Sequence, residues 1–285
     1  MPNLRGRYIV ETDWLAEHLD APDLVVLDGS THLPTSGRNA FAEYQDEHIP
    51  GAQFFDIDKI ADDTNPLPHM LPPPAKFASM VKKMGIGDGI RVVAYDCEGI
   101  YSAARVWWMF RTMGHEDVAV LNGGLKKWKA EMRPTTNEPP EPRSERHFTP
   151  RFNSALVRDI DDVRAIVANG REEIVDARAA ARFLGEATEP RKGLRAGHMP
   201  GAKNVPFTTL LKEDGTLLPT EELRAKFIEA GVDLSKPITT SCGSGVTAGV
   251  LALSLALIGY PDTAVYDGSW SEWGHEDAGT EVVKP

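Results

Sequence analysis

Cysteine is nearly absent. Cys97 and Cys242 are the whole complement of a 285-residue chain, which excludes a disulfide scaffold and fits a reducing compartment where a free thiol can work. Neither has a second cysteine nearby, and the eight histidines do not cluster at ligand spacing, so no zinc and no other metal or cofactor is expected. Long apolar runs are missing too. The longest, Val250 to Ile258, falls well below the ~20 residues of a membrane span and reads as a buried helix. The N-terminus runs straight into Tyr8-Ile9-Val10, with no apolar signal core and no Arg/Ser-rich presequence, so a cytoplasmic location is expected. Positive charge is in deficit: 31 Lys and Arg face 42 Asp and Glu, a formal charge of −11. Nucleic acid and anionic membranes are therefore poor partners, and an anionic substrate must be drawn by local charge.

What the chain does have is a repeat at half-chain scale. Leu24-Val25-Val26-Leu27-Asp28 is echoed by Ile174-Val175-Asp176, and His48-Ile49-Pro50-Gly51-Ala52 by His198-Met199-Pro200-Gly201-Ala202. Asn122-Gly123-Gly124 and Trp128 are echoed by Asp267-Gly268-Ser269 and Trp273, at an offset of 145. A repeat this long is a duplicated domain. Each half carries short Val/Ile-rich runs: Leu24 to Leu27, Arg91 to Tyr95 and Val118 to Leu121, then Ile174 to Val175, Ile238 to Thr240 and Ala264 to Tyr266. Helical spacing lies between them, as in Ala103 to Met113 and in Glu221 to Ala230 with Thr220 as its cap. Strands alternating with helices imply parallel βαβ units, so the fold is α/β twice over, each sheet covered by helices on both faces. Arg133 to Arg143, with four prolines, reads as a linker. Pro66, Pro68 and Pro72 to Pro74 form a second irregular stretch, which the repeat assigns to the first domain.

Ligands of an open parallel sheet collect where strands end and helices begin. Cys242 is at such a place, after the Ile238 to Thr240 run and before an apolar helix starting at about Thr247. The amides of Gly243 to Thr247 can converge on its sulfur, and the helix adds about half a positive charge, which together stabilise an anion. Helix N-termini bring cysteine pKa values from about 8.5 into the range ~3.5 to 7.5. Gly243 and Gly245 supply the backbone freedom of a tight concave loop, and Ser244 and Thr247 add hydroxyl donors. At the offset of 145, Cys97 falls in the matching loop, Cys97-Glu98-Gly99-Ile100-Tyr101-Ser102. It has one glycine fewer and a carboxylate beside the sulfur, so Cys97 is expected to be inert and the first domain a degenerate copy.

The loop Cys242-Gly243-Ser244-Gly245-Val246-Thr247-Ala248 resembles the active loop of 3-mercaptopyruvate sulfurtransferases, the sister group of the two-domain rhodaneses. His48-Ile49-Pro50-Gly51-Ala52, Phe54-Phe55-Asp56-Ile57-Asp58, Arg105-Val106-Trp107-Trp108-Met109 and Tyr266-Asp267-Gly268-Ser269-Trp270 carry the resemblance through both halves. It implies tandem duplicated rhodanese-like domains, the first over 1–135, a linker over 136–150 and a catalytic domain over 151–285. It also implies sulfur transfer through a Cys242 persulfide cradled by Gly243, Gly245, Val246 and Thr247. Arg182 and Arg191 match the arginines that hold the donor carboxylate. Ser244 and His48 match a hydroxyl relay, although Asn39 stands where some relatives have an acid, which leaves a full triad incomplete. The acceptor would be a thiol such as thioredoxin or a small thiol, or cyanide in an assay.

Three rivals remain. A thiosulfate sulfurtransferase shares the persulfide, but typically has basic residues where Gly243 and Ser244 stand. A Cys-dependent phosphatase on the same fold needs an arginine six residues after its nucleophile, where this chain has Ala248. A non-catalytic module that only binds sulfide or anions would never take up sulfur covalently.

Overall fold

The computed structural model describes residues 4–284. Among them ten strands form two sheets of five, with every pairing parallel. The first contains β1 (Ile9–Val10), β2 (Leu24–Asp28), β3 (Gln53–Phe54), β4 (Arg91–Tyr95) and β5 (Val118–Leu121), in the order β1-β5-β4-β2-β3. The second contains β6 (Val157–Arg158), β7 (Glu173–Asp176), β8 (Lys203–Asn204), β9 (Ile238–Ser241) and β10 (Ala264–Tyr266), in the order β6-β10-β9-β7-β8. The two orders are the same topology. The six Val/Ile-rich runs are the three central strands of each sheet; buried by neighbours on both faces, they read as continuous apolar segments. The four edge strands have only two residues each, too short to show any period.

The chain separates into two compact units that do not follow the sequence halves strictly. One runs to Asp63 and adds Leu71–Asn153 and Lys212–Leu217; the other takes Thr64–Met70, Ser154–Leu211 and the chain from Leu218 onward. The proline-rich linker expected at 136–150 therefore belongs to the first unit. Thr136 exchanges both backbone hydrogen bonds with His48, and the Asp88 N–H donates to the His147 carbonyl at 3.0 Å. Pro66 and Pro68, assigned by the repeat to the first domain, instead belong to the second unit.

In each unit one helix follows the central strand and is buried all round: Ala103–Thr112 against β4 and β5, and Ala248–Leu257 against β9 and β10. The first carries Arg105 and Arg111, stacked on Trp108 and on Trp107 and Tyr8. The second is Ala, Gly, Val, Leu and one Ser, whose hydroxyl donates to the Val250 carbonyl. Helix Thr220–Glu229 begins one residue earlier than its spacing implies: Pro219 precedes it and Thr220 is its first turn, with no side-chain cap bond.

Candidate active site

β9 ends at Ser241, Cys242 follows with 2% exposure, and the buried helix begins at Ala248. The backbone beside the sulfur is fixed from the turn after β10. Ser269 Oγ accepts the Cys242 N–H at 3.1 Å and donates to the Tyr266 carbonyl at 2.8 Å. The Trp270 N–H donates to the Cys242 carbonyl at 3.0 Å, and Ser271 gives both its N–H (2.8 Å) and its hydroxyl (2.7 Å) to the Gly243 carbonyl. Ser269 does this from a left-handed conformation, φ 48°, a strain seldom held by a residue with a side chain.

The two loop glycines have different reasons to be glycine. Gly245 has φ 76° and needs its freedom. Gly243 is not in the left-handed region; it is small because a β-carbon there would stand 3.1 Å from Arg182 Nη2. The expectation that both glycines serve backbone conformation is corrected for Gly243, which leaves room for a guanidinium. The amides of Ser244, Val246, Thr247 and Ala248 donate to no acceptor among the described residues.

The twin loop of the first unit shows what such amides can hold, and it requires a second correction. In the sheet register Asp28 pairs with Tyr95, and its repeat partner Asp176 pairs with Ser241. One residue further, the Asp96 carbonyl accepts the Leu125 N–H at 3.0 Å, as the Cys242 carbonyl accepts that of Trp270. The structural counterpart of Cys242 is thus Asp96 and not Cys97. The first loop is one residue longer before its helix, which is why the offset of 145 misaligns the cysteines. Asp96 is buried, and its carboxylate collects five backbone amides. Oδ1 accepts from Glu98 (3.0 Å) and Gly99 (3.1 Å), and Oδ2 from Tyr101 (2.7 Å), Ser102 (2.9 Å) and Ala103 (2.9 Å). Burial raises its pKa, and these amides pull against that rise.

Cys97 lies beside this plugged loop. Burial, then the Asp96 carboxylate, push its thiol up to about 12, with Glu98 adding to the rise, while the Ser30 hydroxyl and Arg38 act the other way. The thiol stays protonated and a poor nucleophile. His32, Cys97 and Glu98 bring their ligand atoms within 4.8 Å of one another, a grouping that sequence spacing does not reveal. The Arg38 guanidinium already lies there, bonded to Glu98 and Glu43 with Nη2 3.7 Å from Cys97 Sγ. The cluster carries its own cation.

Of the residues matched by resemblance, Arg182 is brought to the loop, packed against Gly243. Its Nε and Nη2 are held by Glu189, which also receives Arg178 Nη1 at 2.9 Å. Arg191 lines a cavity of about 480 Å³ in the same unit, together with Lys192, His275 and Ser271, and its Nη2 lies 3.3 Å from His69 Nε2. Ser271 links that cavity to the Gly243 carbonyl.

His48 does not serve a relay. Its ring is 1% exposed, Nδ1 faces the Tyr44 carbonyl at 2.7 Å and Nε2 the Glu138 carbonyl at 3.1 Å. It stacks on the Tyr44 ring just as His198 stacks on Phe183, whose carbonyl faces His198 Nδ1. Both histidines pin the turn before Pro-Gly-Ala, so the catalytic role expected for His48 is withdrawn. Asn39 caps helix Ala40–Asp46 through its Oδ1. Sequence reasoning gave no role to Ser269, Ser271, Glu189 or Asp96, although Ser269 lies in the Tyr266-to-Trp270 motif and Asp96 directly precedes the proposed twin loop.

The chain matches the Rhodanese-like domain over residues 11–131 and again over 159–276. It is 45% identical to the 3-mercaptopyruvate sulfurtransferase of Escherichia coli K12, over 97% of this chain and 99% of that one. It is 46% identical to a thiosulfate sulfurtransferase of Cricetulus griseus, over 95% and 93% of the two chains. The crystal structure of SseA from Escherichia coli, a 3-mercaptopyruvate sulfotransferase with the rhodanese fold, is similar with a TM-score of 0.84. It is 44% identical to this chain, covering 93% of it and 99% of SseA.

Proposed function

The chain belongs to the rhodanese-like family and is a sulfurtransferase, and on that premise we propose that it takes sulfur from 3-mercaptopyruvate onto Cys242 and passes it to a thiol. The supporting observation is Asp96. At the position of Cys242 in the twin loop, five amides gather on one anionic side chain. The amides of Ser244, Val246, Thr247 and Ala248, which donate to no acceptor among the described residues, can do the same for a sulfur anion.

The thiolate of Cys242 attacks the donor sulfur. The S–S bond forms as the sulfur–carbon bond breaks, and the electron pair leaves as the enolate of pyruvate. The proton carried by the donor thiol returns to that carbon, leaving pyruvate and a Cys242 persulfide anion. Arg182 beside Gly243, with Arg191 in the adjoining cavity, orients the donor carboxylate and carbonyl. An acceptor thiolate, of thioredoxin or a small thiol, then attacks the outer sulfur and restores the Cys242 thiolate. Transfer is ping-pong.

The thiosulfate sulfurtransferases among the relatives keep a second donor in view. Gly243 and Ser244 offer no charge to a dianion, which favours the 2-oxo acid. Comparing kcat/KM for the two donors decides between them, and a preference for thiosulfate defeats the choice of donor. Intact mass after donor exposure tests the site: one sulfur gained by the wild type and by Cys97→Ser, none by Cys242→Ser. Sulfur retained on Cys242→Ser would move the nucleophile elsewhere.

A further inference from the structure

Glu189 lies between two guanidinium groups with its side chain 1% exposed. On one side is Arg178, fully buried. It is bonded through Nε and Nη2 to both oxygens of Asp176 at 2.7 to 3.1 Å and laid over the Trp270 ring, 4.1 Å from its centroid. That side is immobile. On the other is Arg182, whose side chain is 20% exposed and whose Nε lies 3.2 Å from Glu189 Oε2.

A guanidinium offers one pair of donors along Nε and one Nη, and another across its two Nη groups. Glu189 occupies the first pair. The second faces the catalytic loop, since a β-carbon on Gly243 would stand 3.1 Å from Nη2 and 3.8 Å from Nη1. Charge follows the same line. Asp176, Arg178, Glu189 and Arg182 cancel formally, so the guanidinium beside the loop offers directed donors without an excess positive charge.

We propose that Glu189 is a positioning and specificity-determining residue, aiming the free edge of Arg182 at the loop and cancelling one charge there. It thereby favours a singly charged carboxylate donor over a doubly charged one such as thiosulfate. The proposal rests on the donor-binding role given to Arg182 above.

Glu189→Gln keeps the size and removes the charge. The expected result is a lower kcat/KM for 3-mercaptopyruvate and a donor ratio moved about fivefold toward thiosulfate. Glu189→Asp, which keeps the charge on a shorter arm, should raise KM for both donors and leave the ratio near wild type. A purely structural role would lower both donors in proportion. An unchanged ratio in folded Glu189→Gln protein, judged by circular dichroism and thermal midpoint, overturns the proposal. If that variant does not fold, Arg182→Gln carries the test on a more exposed residue, with the ratio expected to move away from thiosulfate. A proportional loss of both donors in Arg182→Gln overturns the charge argument. Unchanged KM for both donors would instead remove the role of Arg182 on which the proposal stands.

Discussion

Asp96 and Cys242 occupy one position in two copies of the same sheet, each directly after the central strand, with its carbonyl accepting the N–H of the second residue of a short helix, Leu125 in Gly124–Ala130 and Trp270 in Ser269–Trp273. One copy holds a carboxylate among its loop amides, and the other holds the thiol proposed above as the sulfur carrier.

Asp96→Asn tests the carboxylate. Two amides converge on one oxygen and three on the other, so either orientation of the new side chain sets an NH₂ against at least two N–H donors. A loss of about 2 to 4 kcal/mol is expected, read from the urea midpoint. A variant as stable as the wild type would mean that the amides have other acceptors.

Gly243→Ala and Gly245→Ala should fail in different ways. The first, with no left-handed backbone but only 3.1 Å to Arg182, should keep its thermal midpoint and raise donor KM about fivefold by displacing the guanidinium. The second forces a β-carbon onto φ 76° and should cost about 1 to 2 kcal/mol of stability. Similar effects on both quantities in both variants would contradict this division.

Ser269 separates strain from function. Ser269→Gly relieves φ 48° and removes the acceptor of the Cys242 N–H, so stability should stay within ~1 kcal/mol while persulfide formation slows in single-turnover kinetics. Ser269→Ala keeps the strain, leaves that amide unpaired and should lose about 1 to 3 kcal/mol. Equal stability of the two variants would refute the strain argument.

Cys97 predicts a pH effect with a defined sign. The native thiol keeps its proton up to about 12, against an ordinary value of 9.0. Between those values the unfolded chain has lost a proton that the folded one keeps, so this group's contribution is whole below pH 9 and declines as pH rises toward 12. Cys97→Ser should flatten the alkaline fall in unfolding free energy, measured at equal ionic strength. At pH 8, Cys97 in native Cys242→Ser protein should resist iodoacetamide and react once unfolded. Rapid native alkylation would contradict the raised pKa.

The sequence made legible what repeats locally. Runs such as Arg91 to Tyr95 and Ile238 to Thr240 announced central strands, and the glycines after Cys242 announced a tight loop ahead of a buried helix. The two-residue edge strands left no signal. The cysteine alignment failed because the tryptophan offset of 145 was carried across a loop one residue longer in the first unit, where strand register gives 146 between Tyr95 and Ser241. Glu189 was illegible because its importance lies in joining Arg178 and Arg182, a pairing made by the loop's path and not by any helical or strand period. His48 misled for the opposite reason: a conspicuous motif whose ring nitrogens face main-chain carbonyls.

Helix Ala248–Leu257 has no solvent-facing side, and that decides where this protein has latitude to change. A residue altered along it disturbs the core, and with it the starting point of the sulfur-bearing loop. Gly243, Arg182 and Glu189 lie off the helix, so replacing them leaves that core and the helix start behind Cys242 as they are. Change that spares the core is then channelled to the rim of the loop, away from the sulfur's mooring.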